Sequence, residues 1–179
     1  MGKLLTTMTL LLAMALPASA GVQVLNGIMY ISGDTNRQLE YQVRRAVEDH
    51  DIDYVVMQGD GGSTMSGLVI GYMLRREGVT VTIPTGALCA SACALSAMAG
   101  DNLVINGVLI FHRPYYTADN PGDNIEWWYE RYREYVEYMG GSSRFARAVI
   151  QHTRPCLWIQ ITDQQQLTNW EPYHFVRSC

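Results

Sequence analysis

Beyond position 3 the sequence contains no lysine. A lysine base, a Schiff base and a phosphate-gripping lysine are therefore excluded for the remainder of the chain. No Cys-x-x-Cys and no His-x-x-x-His pair occurs, so the four cysteines and four histidines lack a zinc-binding pattern. No metal and no cofactor is expected. Long apolar runs are missing after residue 16, which leaves no second candidate for a membrane span. Positive charge is scarce as well. Of thirteen basic residues one is Lys3, so twelve arginines face seventeen acids and residues 21–179 carry a net −5. That balance argues against nucleic acid and anionic membrane surfaces as partners. There is no internal repeat and no low-complexity tract.

What is present begins with a leader pattern. Lys3 precedes a mostly apolar run, Leu4 to Leu16, and Pro17-Ala18-Ser19-Ala20 ends in Ala-x-Ala. That order predicts a secretory signal peptide cut after Ala20, a periplasmic or secreted protein, and no stable membrane anchor after cleavage. Removing the first 20 of 179 residues leaves 159, one domain over 21–179. An even cysteine count in an exported chain predicts disulfides. Cys89 and Cys93 are the natural local pair, one turn apart if that segment is helical, and Cys156 with Cys179 would then staple the C-terminal tail. The pairing stays open at this stage.

Along the chain, Val22 to Leu25 and Ile28 to Ser32 read as strands around an Asn26-Gly27 turn. Asp34 or Thr35 can cap a helix reaching about Asp49. Tyr54 to Met57 reads as a buried strand ended by Gly59-Asp60-Gly61-Gly62, and a helix from about Thr64 to Arg76 stops at Gly78. Val79 to Ile83 is a strand, Ala90 to Ala99 a buried helix, and Leu103 to Ile105 and Val108 to His112 are strands. A loop over Arg113 to Asn124 precedes an aromatic helix, Ile125 to Met139, and Ser142 caps another helix to about His152. The form of Leu167 to Val176 is left open. This alternation predicts an α/β domain with a mostly parallel sheet and right-handed crossovers. In such folds sites form at the carboxyl ends of strands, where Gly59 to Gly62, Ser91 and His112 all fall.

A serine that attacks a carbonyl needs a base, an oxyanion hole and an exposed, rigid position. Ser91 starts a helix after a strand and loop, between the small residues Ala90 and Ala92. The Ala92 N–H is free to donate at such a helix start. Gly61-Gly62 offers a second, unobstructed backbone donor, and His112 can act as base. Each alone has an ordinary structural explanation: a packing serine, a tight turn, a satisfied polar group.

In combination and order these motifs resemble the Clp protease proteolytic subunit, within the ClpP/crotonase fold. Ile31-Ser32-Gly33 resembles the family's opening strand and glycine. Gly59-Asp60-Gly61-Gly62 resembles its Ser-Pro-Gly-Gly oxyanion turn, followed by a helix glycine at Gly67. Cys89-Ala90-Ser91-Ala92 resembles its Ala-Ala-Ser nucleophile turn, Ala99-Gly100 its helix end, and Phe111-His112-Arg113-Pro114 its Ile-His-Gln-Pro histidine. Gly62 and Ser91 are 29 positions apart, the family's spacing. Exported bacterial Clp-like proteins are similar in carrying Cys-x-Ser-Ala-Cys after a signal peptide.

The resemblance implies repeated β-β-α units with a mostly parallel sheet and a C-terminal helical segment. It also implies a Ser-His-Asp site with Ser91 as nucleophile, His112 as base, and Gly62 and Ala92 as oxyanion donors. Asp163 is the nearest match for the acid, one position off the family's spacing before Leu167-Thr168. Asp60 departs from the family's proline. The missing lysine separates the chain from the related signal-peptide peptidases, whose site is a Ser-Lys dyad. The implied activity is a serine peptidase acting on short or unfolded peptides without an ATPase partner, since exported space holds essentially no ATP. A catalytically inactive binding or assembly protein of the same fold is the alternative, and a crotonase-type acyl-thioester enzyme fits an exported chain poorly. The aromatic helix implies either a homo-oligomer contact or substrate groove, or simply a local core.

Overall fold

In the computed structural model residues 21–114, 125–153, 156–168 and 173–177 are described. The leader pattern and Cys179 therefore lie outside the described residues, as does most of the loop before the aromatic helix.

The first hairpin forms as its sequence requires. Asn26 and Gly27 both take positive φ, and β1 (Gly21–Leu25) folds antiparallel onto β2 (Ile28–Thr35). Helix α1 (Arg37–Asp49) is capped by Asn36, whose side chain accepts from the Leu39 N–H at 3.0 Å. Neither Asp34 nor Thr35 caps it, because β2 runs on through both before the chain turns. β3 (Tyr54–Gly62) extends well past the expected end; its pairing with β2 shifts register after Ser32–Gln58 and resumes with Gly61 opposite Asp34 and Gly62 opposite Thr35. Helix α2 (Thr64–Glu77) starts at the Ser63 cap and stops at Gly78 in the left-handed conformation.

β3 joins two sheet halves. Its first half, Tyr54 to Val56, pairs in parallel with β4 (Thr80–Ile83); its second half pairs Gly59 with Cys89 of β5 (Leu88–Ala90). Pro84 ends β4, and the chain steps sideways to start β5. The next pair repeats the step, β6 (Asn102–Ile105) lying beside β4 and β7 (Val108–Phe111) beside β5. A Cβ at Gly107, the second step, would run into the backbone oxygens of Pro84 and Ala87, the first step. Each β-β pair is followed by a helix: α3 (Ala92–Ala97) after β5, and α4 (Ile125–Tyr138) after β7. The mostly parallel sheet built from repeated β-β-α units is the expected one. Helix α5 (Ser143–His152), capped by Ser142, leads to β8 (Leu157–Ile161) and β9 (His174–Arg177), which close the second half antiparallel.

Two helix contacts position the site. Ser96 on α3, fully buried, donates to the Gly67 carbonyl of α2 at 3.0 Å, and a Cβ on Gly67 would lie 2.7 Å from the Ala92 oxygen. The missing side chain at Gly67 thus lets α2 and α3 touch backbone to backbone. Tyr135 of α4 then locks the pair from above. Its buried hydroxyl donates to the Leu95 carbonyl at 2.6 Å and fills the space over Gly71. Tyr129, Tyr132, Tyr135, Val136 and Met139 are all buried, so one face of the aromatic helix is local core, whereas Tyr138 is exposed.

Candidate active site

The segment read as one helix from Ala90 is a strand, a turn and a shorter helix. Cys89 sits on β5 and Cys93 on α3, so the disulfide between them (Cα–Cα 5.3 Å) spans a strand-to-helix turn instead of one helical turn. Cys156 is disulfide-bonded as well.

Ser91 is that turn. Its φ of 57° and ψ of −121° are far from any comfortable region for a residue with a Cβ. Apart from Asn26 in the hairpin, it is the one non-glycine with positive φ among the described residues. Such a conformation costs roughly 1–3 kcal/mol and persists only where the surroundings over-determine it. Here they do. The Ser91 N–H donates to the Ile110 carbonyl of β7 at 2.9 Å, its own carbonyl accepts from Leu95 at 3.1 Å, and the disulfide brackets it. A strained strand-to-helix turn lifts a serine above the end of a sheet, the geometry of a nucleophile elbow.

The glycine turn lies against this elbow. Gly61, with φ 99°, faces it so closely that a Cβ would stand 2.6 Å from the Ser91 Cβ and 3.0 Å from the Ala92 nitrogen. Gly62 packs in register beside Thr35, and any Cβ there would enter the Thr35 carbonyl. Asp60, one residue before Gly61, is exposed.

His112 follows β7. Because Ala90 pairs with Ile110, Ser91 falls beside Phe111 and His112 one step beyond. The two residues therefore end adjacent parallel strands, with Cα atoms about 6 Å apart on ordinary strand spacing and rise. His112 Nδ1–H donates to the Arg113 carbonyl at 2.8 Å, which makes Nε2 the basic atom of the neutral ring. The Arg113 N–H in turn donates to Thr153 Oγ1 at 2.7 Å, and that buried hydroxyl donates to the Val149 carbonyl at 2.6 Å. Burial holds the His112 pKa below its ordinary 6.5, and the hydrogen bond to Arg113 partly offsets this.

The structure does not bring Asp163 to this place. β8 runs antiparallel to β7 with Ile161 opposite Leu109 and Ile159 opposite Phe111. Asp163 thus lies past the amino end of β7, on the order of 15 Å along the strand from His112. Its carboxylate caps a short 3-10 turn, Gln164–Leu167, accepting from the Gln165 N–H at 2.7 Å. The β8 position facing His112 holds Trp158 instead, and the two rings stack with centroids 5.3 Å apart at 28°. Sequence reasoning missed Trp158. The alternation of Ile159 and Ile161 with Trp158 and Gln160 marks a half-buried strand, but nothing local says which strand it pairs with.

No protein-family model matches the chain, and no curated protein sequence matches it. Among solved structures, an asparagine-to-aspartate mutant of ClpP1 from Listeria monocytogenes superposes with a TM-score of 0.58 at 18% identity, over 79% of this chain and 86% of that one. The chain has a Clp protease-like fold. A serine-to-alanine mutant of the 1510-N membrane-bound stomatin-specific protease matches with TM-score 0.58 at 14% identity, over 77% of this chain and 73% of that one. A lysine-to-alanine mutant of the same protease, in complex with a substrate peptide, matches with TM-score 0.58 at 15% identity over 77% and 68%. This chain has no lysine after Lys3.

Proposed function

We propose that this protein is an exported serine hydrolase of Clp-like type, cleaving short or unfolded peptides without an ATPase partner. The observation that carries the reading is Ser91, held at φ 57° and ψ −121° between β5 and α3 with Gly61 packed on it. Strain of this kind in a serine at a strand end has a ready use in nucleophilic attack. Ser91 attacks the scissile carbonyl, and His112 Nε2 takes its proton and returns it to the leaving amine. The N–H groups of Gly62 and Ala92 hold the oxyanion. The buried disulfide supports an oxidising compartment, hence the periplasm or outside of the cell. Tyr72 and Tyr138, both exposed and with ring centroids 5.3 Å apart, form an aromatic patch that supports a homo-oligomer contact.

The test is covalent labelling. Purified mature protein is exposed to a fluorophosphonate, with Ser91→Ala and His112→Ala beside it. Labelling that requires both residues is expected. A folded wild type that takes no label sinks the reading. The second reading, a Clp-fold binding protein without turnover, is favoured by Trp158 standing where an acid would face His112. It predicts that folded protein binds peptide but stays unlabelled.

A further inference from the structure

We propose that the crevice between the starts of α1 and α2, beside the glycine turn, binds a carboxylate of the peptide substrate. The consequence for cleavage specificity rests on the hydrolase reading; the binding itself does not.

Topology makes the crevice. β2 and β3 are parallel neighbours, and each passes at its carboxyl end into a helix, so α1 and α2 begin side by side. The Ser63 N–H donates to the Thr35 carbonyl at 2.7 Å and ties the two starts together. Between them lies a cavity of about 600 Å³, lined by Arg37 and Glu40 of α1 and by Ser63, Met65, Ser66 and Val69 at the start of α2. This edge of a parallel sheet is where ligands of α/β folds collect.

The local polarity favours an anion. Helices of 13 and 14 residues both bring their positive ends here. The Asn36 and Ser63 caps satisfy the Leu39 and Ser66 N–H groups, which leaves the N–H groups of Arg37, Gln38, Thr64 and Met65 without intrahelical acceptors. Arg37 stands at the first position of α1, where the dipole disfavours a cation, and it forms no ion pair among the described residues. Glu40 is the one carboxylate in the lining, and Arg44 stands 3.9 Å from it. Asp34 and Asp60, near the ends of β2 and β3, are exposed and outside the lining, where water and salt screen them.

Ser66 is the independent sign of a ligand. Its side chain is 5% exposed, and its hydroxyl makes no hydrogen bond among the described residues. The hydroxyl is nevertheless not sealed off from solvent, so it opens into the crevice that Ser66 lines. A nearly buried hydroxyl that the protein leaves unpaired is a donor available to a bound group. Met65 and Val69 supply the apolar wall against which the stem of that group packs.

Ser63 directly follows Gly62, the oxyanion donor of the hydrolase reading. The crevice therefore starts within about 10 Å of the bound carbonyl, a span of two or three extended residues. Gly61 and Gly62 put no side chain in the way. Arg37 and Ser66 are thus the specificity residues of this subsite.

Affinity is read by NMR titration of the Thr64 and Met65 amides, in mature protein carrying Ser91→Ala so that nothing is cleaved. The probes are acetyl-tetraalanine with a free C-terminal carboxylate, its C-terminal amide, and that amide with one alanine replaced by glutamate or by lysine. The free acid or the glutamate peptide should bind about tenfold more tightly than the plain amide, the scale of one charge-assisted hydrogen bond. Whichever of the two binds more tightly tells a chain terminus from an acidic side chain. Arg37→Gln should abolish the preference, and Ser66→Ala should reduce it about threefold. Glu40→Gln removes the opposing charge and should increase it. Arg76→Gln, at the far end of α2, should leave it unchanged. Equal affinity for the acid, glutamate and amide peptides overturns the proposal, as does a preference for the lysine peptide that Glu40→Gln abolishes. If wild type takes no fluorophosphonate label, the hydrolase reading fails while these affinities still judge the crevice.

Discussion

A Cβ built on Gly61 would stand 2.6 Å from the Cβ of Ser91, so the glycine turn and the Ser91 elbow meet where no side chain fits. The 29-position spacing between Gly62 and Ser91 has its physical origin here. β3 delivers the turn, α2 and β4 carry the chain away, and β5 returns it beside the same strand end.

Gly61→Ala is therefore expected to disturb the elbow directly. It adds a Cβ at φ 99° and a collision with Ser91. Gly86→Ala is the control, because Gly86 has φ 79° but no atom within 4 Å of its would-be Cβ. Gly86→Ala should cost about 1 kcal/mol of stability and leave labelling of Ser91 unchanged. Gly61→Ala should cost more and lower the labelling rate about a hundredfold, the penalty of displacing a reacting group by an ångström. Thermal unfolding and labelling kinetics of the two variants check this. Equal labelling would show that the contact does not set the elbow.

The Cys89–Cys93 bond closes a short loop around that elbow. On loop-closure entropy alone so short a loop is worth about 2 kcal/mol. The double variant Cys89→Ala with Cys93→Ala, conservative at two buried sites, should lower Tm by about 4–8 °C. Labelling at Ser91 should slow as well, since the strained conformation loses one of its restraints. A Tm loss with unchanged labelling would assign the disulfide to stability alone.

How far the site was legible follows from range. The glycine turn and His112 each stand at the end of a strand whose apolar run is visible in the sequence, and the resemblance in motif order put Ser91 with them. The elbow itself was less visible. Cys89-Ala90-Ser91-Ala92 is small and apolar enough to read as helix from Ala90, and only pairing of Leu88 to Ala90 between β3 and β7 makes it a strand. Asp163 was chosen by its distance from Leu167-Thr168, a local criterion. What stands across from His112 on β8 is decided by a non-local one, the antiparallel register of β8 on β7, which seats Trp158 there.

The pH dependence carries a definite sign. Burial lowers the His112 pKa below 6.5, so the neutral, basic ring persists into mildly acidic solution. Labelling at Ser91 should rise with pH through an inflection below 6.5 and be flat at neutral pH. Stability shifts in the same range. Below 6.5 the unfolded chain takes up a proton at this histidine before the folded one does. The unfolded state then binds more protons, so stability falls as the pH is lowered, until His112 titrates in the folded state. Denaturant unfolding at several pH values, wild type against His112→Gln, isolates this contribution. An inflection above 6.5 in labelling would mean that another group serves as base.

The lock on α2 and α3 gives a prediction away from the chemistry. The Leu95 carbonyl lies near the end of α3, where Ala99 bonds Ser96 instead, and the Tyr135 hydroxyl is its buried donor. Tyr135→Phe leaves that acceptor unsatisfied and should cost about 1–3 kcal/mol. Tyr72→Phe, on an exposed ring that meets Tyr135 edge-on, should stay within about 0.5 kcal/mol. Gly71→Ala drives a Cβ into the Tyr135 hydroxyl and should destabilise despite alanine's better helix propensity. Combined with Tyr135→Phe, which removes the nearest colliding atom, Gly71→Ala should cost clearly less than alone. The coupling is read from a double-mutant cycle in denaturant. Additive costs would mean that the glycine and the hydroxyl do not share one space, and that α4 is held to the site helices by other contacts.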